Sequence, residues 1–175
     1  MGEIVFVGGC ATELLVIDPA APPVRASDDV DVIVEITSYA EYAKFSARLR
    51  KLGLVEDATD AAPICRWRVE GIKLDVMPTD ENVLGFSNRW YKSALKEAQT
   101  IPFEGLELQV VTPTYFLATK FEAFKGRGRG DFYASKDLED VITLIDGQSD
   151  PARGSRRSKR QRSPIHRWAS RQLPG

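Results

Sequence analysis

From Asp29 to Ile36 the chain reads Asp-Val-Asp-Val-Ile-Val-Glu-Ile, and no other run constrains the fold as strongly. Residues two apart on a β-strand project from the same face. Val30, Val32, Val34 and Ile36 therefore form an apolar face turned to a core, while Asp29 and Asp31 stand side by side on the other. Two parallel carboxylates repel unless a cation sits between them. Taken alone, an Asp-x-Asp pair also suits an ordinary solvated strand face, so the neighbouring segments must decide between the two.

Those segments alternate between strands and helices. Ile4-Val5-Phe6-Val7 reads as a buried strand ending at the turn Gly8-Gly9, and Cys10–Ile17 reads as a helix stopped by Pro19, Pro22 and Pro23. Ser38 with Glu41 three residues on is a capping-box pattern, which predicts a helix from Tyr39 to Leu52 ended by Gly53. Cys65–Val69 and Ile72–Met77 are alternating runs joined by Glu70-Gly71, a hairpin signature. A helix over Trp90–Ala98 and a strand over Leu106–Val111 follow. Thr112-Pro113 is an N-cap with proline in the first helical position, opening a helix through Phe124. Gly126–Gly130 reads as a loop, and Ser135–Ile145 as a last helix with Asp137 and Glu139 in its first turn, where acids suit the helix dipole.

In Ile72-Lys73-Leu74-Asp75-Val76-Met77 the apolar set is Ile72, Leu74 and Val76, which puts Asp75 on the opposite face. If this strand neighbours the Asp29–Ile36 strand, three carboxylates converge. Oxygen-only ligands favour Mg²⁺ or Mn²⁺, and two such ions roughly 3.5–4 Å apart serve in-line displacement at phosphorus. Gly8-Gly9, between a strand and a helix, offers amide donors and close backbone approach for phosphates. Arg25 and Ser27 add a cation and a hydroxyl just ahead of the carboxylates.

Other features leave two readings each. Arg66, Arg68 and Glu70 share a strand face; if it is the face with the carboxylates, the arginines either grip a substrate phosphate or pair with the acids. Phe86-Ser87-Asn88-Arg89-Trp90-Tyr91 either stacks a base or packs on the sheet. Gly126–Gly130 follows a helix and not a strand, so it fails as a dinucleotide fingerprint; a basic loop contacting nucleic acid through Arg127 and Arg129 and a plain linker remain. Cys10 lies near a helix start, where thiols acidify, but no His accompanies it in the body of the chain, so a small buried residue is the expectation.

With 175 residues, one His and two Cys, the chain reads as one globular domain large enough to hold a core without disulfides or structural metal. Cysteine usage points to a reducing cytoplasm, and no apolar stretch suggests a membrane span or signal peptide. The formal charge of −1 averages two unlike parts. Residues 151–175 carry eight arginines and lysines, from Arg153 to Arg171, and no acid; the rest of the chain is strongly acidic.

Val7-Gly8-Gly9, Asp29-Val30-Asp31 and Leu74-Asp75-Val76 together resemble the pattern of the DNA polymerase β-like nucleotidyltransferase superfamily. Within it, Arg25-Ala26-Ser27-Asp28-Asp29-Val30-Asp31 is similar to the Arg-x-Ser/Thr-x-Asp-x-Asp element of the AbiEii/AbiGii toxin family. Pro113–Lys120 and Ser135–Asp140 resemble that family's lysine helix and acidic helix. The likeness spans roughly residues 4–146. It implies an α/β (α+β) fold, a mixed twisted sheet flanked by helices, with a nucleotidyltransferase domain over 1–146; the remainder, 147–175, reads from its composition as a basic, disordered tail rather than an RNA-guiding arm.

The resemblance further implies that Asp29 and Asp31 hold two Mg²⁺ (or Mn²⁺) ions bridging the nucleotide phosphates, and that Asp75 completes the site and helps deprotonate the attacking hydroxyl. Gly8 and Gly9 would lie along the triphosphate, with Arg25 beside them and Ser27 donating a hydrogen bond. Lys120 would neutralise phosphate charge, and Asp137 would orient Lys120 or the acceptor, a role Asp131 or Asp140 also fits. The implied substrate is an NTP, the acceptor an RNA such as tRNA or a protein, and a cognate antitoxin the implied partner. An aminoglycoside-type small-molecule acceptor and an inactive antitoxin-like or truncated relative are the alternatives. Gly9-Cys10-Ala11-Thr12 lacks the Gly-Ser and Arg usual in the antitoxin-type minimal enzymes. The chain departs from the family pattern in the proline-rich stretch between Gly9 and Asp29, in the short lead before the first strand, and in the basic tail where further helices are expected.

Overall fold

The computed structural model describes residues 4–127 and 132–148. Its elements are β1 (Ile4–Val7), α1 (Gly8–Leu15), β2 (Asp29–Val34), α2 (Tyr39–Lys51), β3 (Val55–Glu56), β4 (Arg66–Val69), β5 (Ile72–Pro78), α3 (Glu81–Leu84), α4 (Tyr91–Lys96), β6 (Gln99–Phe103), β7 (Leu106–Val110), α5 (Pro113–Arg127) and α6 (Lys136–Asp146). The strands form one mixed sheet in the order β3-β4-β5-β2-β1-β7-β6. β2 runs parallel to β5 and antiparallel to β1, while β1 runs parallel to β7. This is the helix-flanked mixed sheet expected from the sequence.

The sheet is built from its side-chain alternation. Val30, Val32 and Val34 are buried, and they lie level with Leu74, Val76 and Pro78 of β5. Trp67, opposite Leu74 on β4, is 1% exposed and lies under the guanidinium of Arg50 from α2, 5.7 Å from the ring centroid. The other face of β2 divides. Asp29 and Asp31 are only partly buried, but Ile33 is 0% exposed. Its β5 partner Met77 accepts a hydrogen bond from Tyr91 of α4, which covers this end of the face. Only the N-terminal half of β2 therefore opens a polar surface.

Two Glu-Gly dipeptides make the tight hairpins. Glu70 and Gly71 have φ of 47° and 81°, and Glu104 and Gly105 have 49° and 82°. Two successive left-handed residues match the twist of the flanking strands, as in a type I′ turn. The first joins β4 to β5 as expected. The second joins β7 to β6, a strand not anticipated because Pro102 lies in it; proline is tolerated there because β6 is an edge strand.

Several boundaries differ from expectation for local reasons. α1 starts at Gly8, two residues early, and ends at Leu15 because the N–H groups of Ile17 and Asp18 donate to the carbonyl of Gly147. β2 stops at Val34, whose carbonyl accepts from Ile36 and Thr79, although Ile36 stays buried. α4 is shorter than Trp90–Ala98. α5 continues through Gly126 and Arg127, where a loop was expected; Gly128–Gly130 lie outside the described residues. The Ser38 cap forms as expected, its hydroxyl accepting from the Glu41 N–H at 3.3 Å. Among the described residues no helix is long and apolar enough to cross a membrane.

Gly147 and Gln148, assigned to the tail by sequence, hold α6 against α1. Besides the Gly147 carbonyl contacts, the Gln148 side-chain amide donates to the carbonyl of Leu15 at 3.1 Å. Residues 149–175, with the rest of the basic segment, lie outside the described residues. A Cβ at Gly147 would stand 2.8 Å from both methyl groups of Val16. Gly147→Ala is expected to destabilise the fold by about 1–3 kcal/mol through overpacking, read as a lower urea midpoint; an unchanged midpoint would show that the α1–α6 seam is loose.

Candidate active site

The parallel pairing of β2 with β5 sets Asp31 level with Asp75, and Asp29 level with Lys73. Because the three acids share one sheet face, all open into a single cavity of about 1020 Å³. Its wall also includes Gly9, Arg25, Ser27, Arg66, Lys120, Asp137 and Asp140. The structure thus brings Asp29, Asp31, Asp75, Lys120, Asp137, Gly9, Arg25 and Ser27 together around one cavity; Gly8 stands immediately behind, against Asp31. Asp131 lies outside the described residues.

The glycine turn is shaped by its neighbours. Gly8 has φ of +68°, and a Cβ there would run into the Asp31 carboxylate, so both conformation and space require glycine. The chain thereby enters α1 with its first turn against the cavity. A Cβ at Gly9 would meet Ser27 Oγ at 3.3 Å, Asp140 Oδ2 at 3.5 Å and Arg25 Nη2 at 3.6 Å. A hydroxyl, a guanidinium and the Asp140 carboxylate therefore crowd the same small volume beside this helix start, the first two being groups suited to an anion.

Two clusters of opposite charges order the acids. In the first, Arg66 Nε donates to Asp75 Oδ1 at 2.7 Å and Arg66 Nη2 to Asp75 Oδ2 at 2.7 Å, a two-pronged charge-assisted pair. The same Nη2 reaches Asp29 Oδ2 at 3.0 Å, and Ser27 Oγ donates to Asp29 Oδ1 at 2.9 Å. These bonds to Asp75, followed by the charges of Asp75 and Asp29, raise the guanidinium pKa above its ordinary value. Of the two sequence readings of the arginines, the pairing one is what the structure holds: Arg66 with Asp75 and Asp29, and Arg68 with Asp57 at 2.7 Å. The register that places Arg66 opposite Asp75 was available in the sequence, since a two-residue Glu70-Gly71 turn fixes the pairs from Val69 and Ile72 outward.

In the second cluster Lys120 Nζ lies 2.5 Å from Asp140 Oδ2 and 3.5 Å from Asp137 Oδ1. All three side chains are buried. Asp140 is thus the nearer partner of Lys120, with Asp137 second. Arg25 joins from the loop before β2, 3.4 Å from Asp140 Oδ1 and 3.3 Å from Glu139 Oε2. Asp137 and Asp140 are three apart on α6 and so project from one face toward α5.

Burial works against thiolate formation at both cysteines. Burial, with the charge of Asp31 next, pushes the Cys10 thiol pKa far up. Burial and then Asp75 push Cys65, in the cavity wall, up to about 12. Neither cysteine is in a disulfide. Trp90 packs against Tyr115 of α5 at 6.4 Å, and Phe86 lines the cavity.

In kind, the donors suit a hard divalent cation: carboxylate oxygens on adjacent strands, gathered around a positive group. In the arrangement observed, no group of three or more acidic, His or Cys side chains among the described residues is placed to hold a metal ion. Arg66 supplies the counter-charge to Asp29 and Asp75.

The fold is similar to that of nucleotidyltransferase-like proteins of known structure. An antigenic nucleotidyltransferase-like protein from Paracoccidioides brasiliensis superposes with a TM-score of 0.54 at 19% identity, over 82% of this chain and 67% of that one. The antibiotic-resistance factor ANT(2″)-Ia, in its solution structure, gives a TM-score of 0.51 at 14% identity, covering 82% and 74% of the two chains. Its crystal structure with adenylyl-2″-tobramycin gives 0.50 at 15% identity, covering 82% and 78%. No family model matches the chain, and no curated protein matches it in sequence.

Removing one partner of a buried ion pair leaves the other charged and unpaired, which costs about 3–5 kcal/mol. Lys120→Met should therefore lower stability by about 3 kcal/mol in urea unfolding, and Asp140→Asn should cost more than Asp137→Asn. Equal costs for the two aspartates would contradict the observed order of contacts.

Proposed function

We propose that the chain is a metal-dependent nucleotidyltransferase that moves a nucleotidyl group from an NTP to a hydroxyl acceptor. The observation that carries this reading is the gathering of Asp29, Asp31 and Asp75 on adjacent strands, in one cavity with Lys120 and the Gly8-Gly9 helix start. The nucleotidyltransferase fold supports it.

In this reading Asp29 and Asp31 would hold Mg²⁺ or Mn²⁺, with Asp75 completing the metal site. When bound, such ions neutralise phosphate charge and lower the pKa of a coordinated hydroxyl. The other roles belong to the chain itself. The amides of α1 and the Ser27 hydroxyl donate to phosphate oxygens, and Arg25 adds positive charge beside them. Asp75, at the cavity wall, accepts the proton of the attacking hydroxyl. Lys120, held from behind by Asp140 and Asp137, balances the charge on the leaving pyrophosphate. Phe86 offers an apolar surface to a base or acceptor.

Two acceptor classes are proposed. The Arg25–Asp31 element and the lysine and acidic helices resemble the AbiEii/AbiGii toxins, which favours RNA, tRNA in particular, or a protein, and a cognate antitoxin as partner. The fold shared with ANT(2″)-Ia, a neighbour seen with adenylyl-2″-tobramycin, favours a small polyhydroxylated acceptor. Two free buried cysteines suit a reducing compartment, and the cytoplasm is the proposed location.

Incubation with each labelled NTP and Mg²⁺ against total RNA, an aminoglycoside mixture, and the protein alone tests all of this. Label should pass to one acceptor class, and Asp29→Ala should reduce transfer by about a hundred-fold or more. Full transfer by Asp29→Ala would overturn the assignment of the carboxylates. NTP binding without any product would mark the chain as an inactive relative.

A further inference from the structure

The carboxylates proposed to hold metal are already engaged. Both oxygens of Asp75 accept from the Arg66 guanidinium at 2.7 Å. One oxygen of Asp29 accepts from Arg66 at 3.0 Å and the other from Ser27 at 2.9 Å. All four oxygens of these two acids therefore face protein donors. The pairing is built into the sheet, because Arg66 and Asp75 are the fourth cross-strand pair counted from the Glu70-Gly71 turn, and the Arg66 side chain is 17% exposed. A divalent cation seeks the same oxygens, and a guanidinium beside it would be repelled. Metal and Arg66 compete.

We propose that Arg66 is an internal counter-ion that holds Asp29 and Asp75 closed against metal until nucleotide arrives, and that it then transfers its hydrogen bonds to a phosphate of the nucleotide. The inference rests on the metal-dependent reading above. A guanidinium leaving two carboxylates needs other anionic oxygens within the same cavity. A triphosphate supplies them, and a bare metal ion does not. Metal and nucleotide should accordingly bind together, each favouring the other, since coupling between two ligands is reciprocal. Arg66 acts on metal through Asp29 and Asp75, so its primary role here is positioning and gating.

The test measures Mn²⁺ binding to the full chain through loss of the free-ion paramagnetic resonance signal, with and without a non-hydrolysable NTP. Wild type should bind Mn²⁺ weakly alone and at least ten-fold more tightly with the nucleotide. Arg66→Gln should bind Mn²⁺ alone about ten-fold more tightly than wild type, and nucleotide should enhance that binding less. Arg66→Lys, which cannot make the two-pronged pair, should lie between, and it decides the question if Arg66→Gln does not fold by circular dichroism. Affinity for Mn²⁺ alone in the folded variants equal to or weaker than wild type would overturn the gating role while leaving metal dependence standing. Absence of Mn²⁺ binding to every protein, even with nucleotide, would overturn both.

Discussion

The parallel register of β2 against β5 is the constraint on which the rest depends. Aligning Val30, Val32 and Val34 with Leu74, Val76 and Pro78 buries one face of both strands, and the two-residue period then fixes what the opposite face must display. Asp31 comes level with Asp75 and Asp29 with Lys73. A slip of one residue would turn the valines to solvent and the acids into the core. The apolar free energy of the sheet thus holds together three like charges that would separate if left to themselves.

What neutralises those charges explains the neighbouring side chains. Arg66 stands opposite Asp75 through the tight Glu70-Gly71 hairpin, and it spans to Asp29. On the far wall Lys120, Asp140, Asp137 and Arg25 tie α5, α6 and the loop before β2 into a second ionic cluster. The cavity between them alternates acid and base around the Gly8-Gly9 turn. The proposed substrate, a triphosphate with a divalent ion, would meet donors for its phosphate oxygens there and, once Arg66 has turned to the phosphate, carboxylates for its metal.

Much of this was legible from residues alone, and the illegible parts have physical reasons. Side-chain alternation gave away β2, β4 and β5 and placed the three acids on one face, because the period of a strand is a local property. The Ser38 cap and the Glu70-Gly71 turn marked their elements because each satisfies backbone groups in a residue-specific way. Edge strand β6 escaped notice because Pro102, disfavoured in a central strand, costs little at an edge. The end of α1 was misplaced because its terminator, the carbonyl of Gly147, comes from the far end of the chain. Asp140, left as one alternative to Asp137, proved the nearer partner of Lys120, a distinction set by the packing of α5 on α6 and invisible in sequence spacing.

The most direct test of the central claim, that sheet register assembles a metal-nucleotide site from Asp29, Asp31 and Asp75, is a crystal grown with Mn²⁺ and a non-hydrolysable NTP and measured at a wavelength where manganese scatters anomalously. The account predicts an anomalous peak within coordination distance of Asp29 and Asp31, with the triphosphate along Gly8 and Gly9. A nucleotide bound elsewhere, or bound in this cavity with the manganese away from both aspartates, would contradict it.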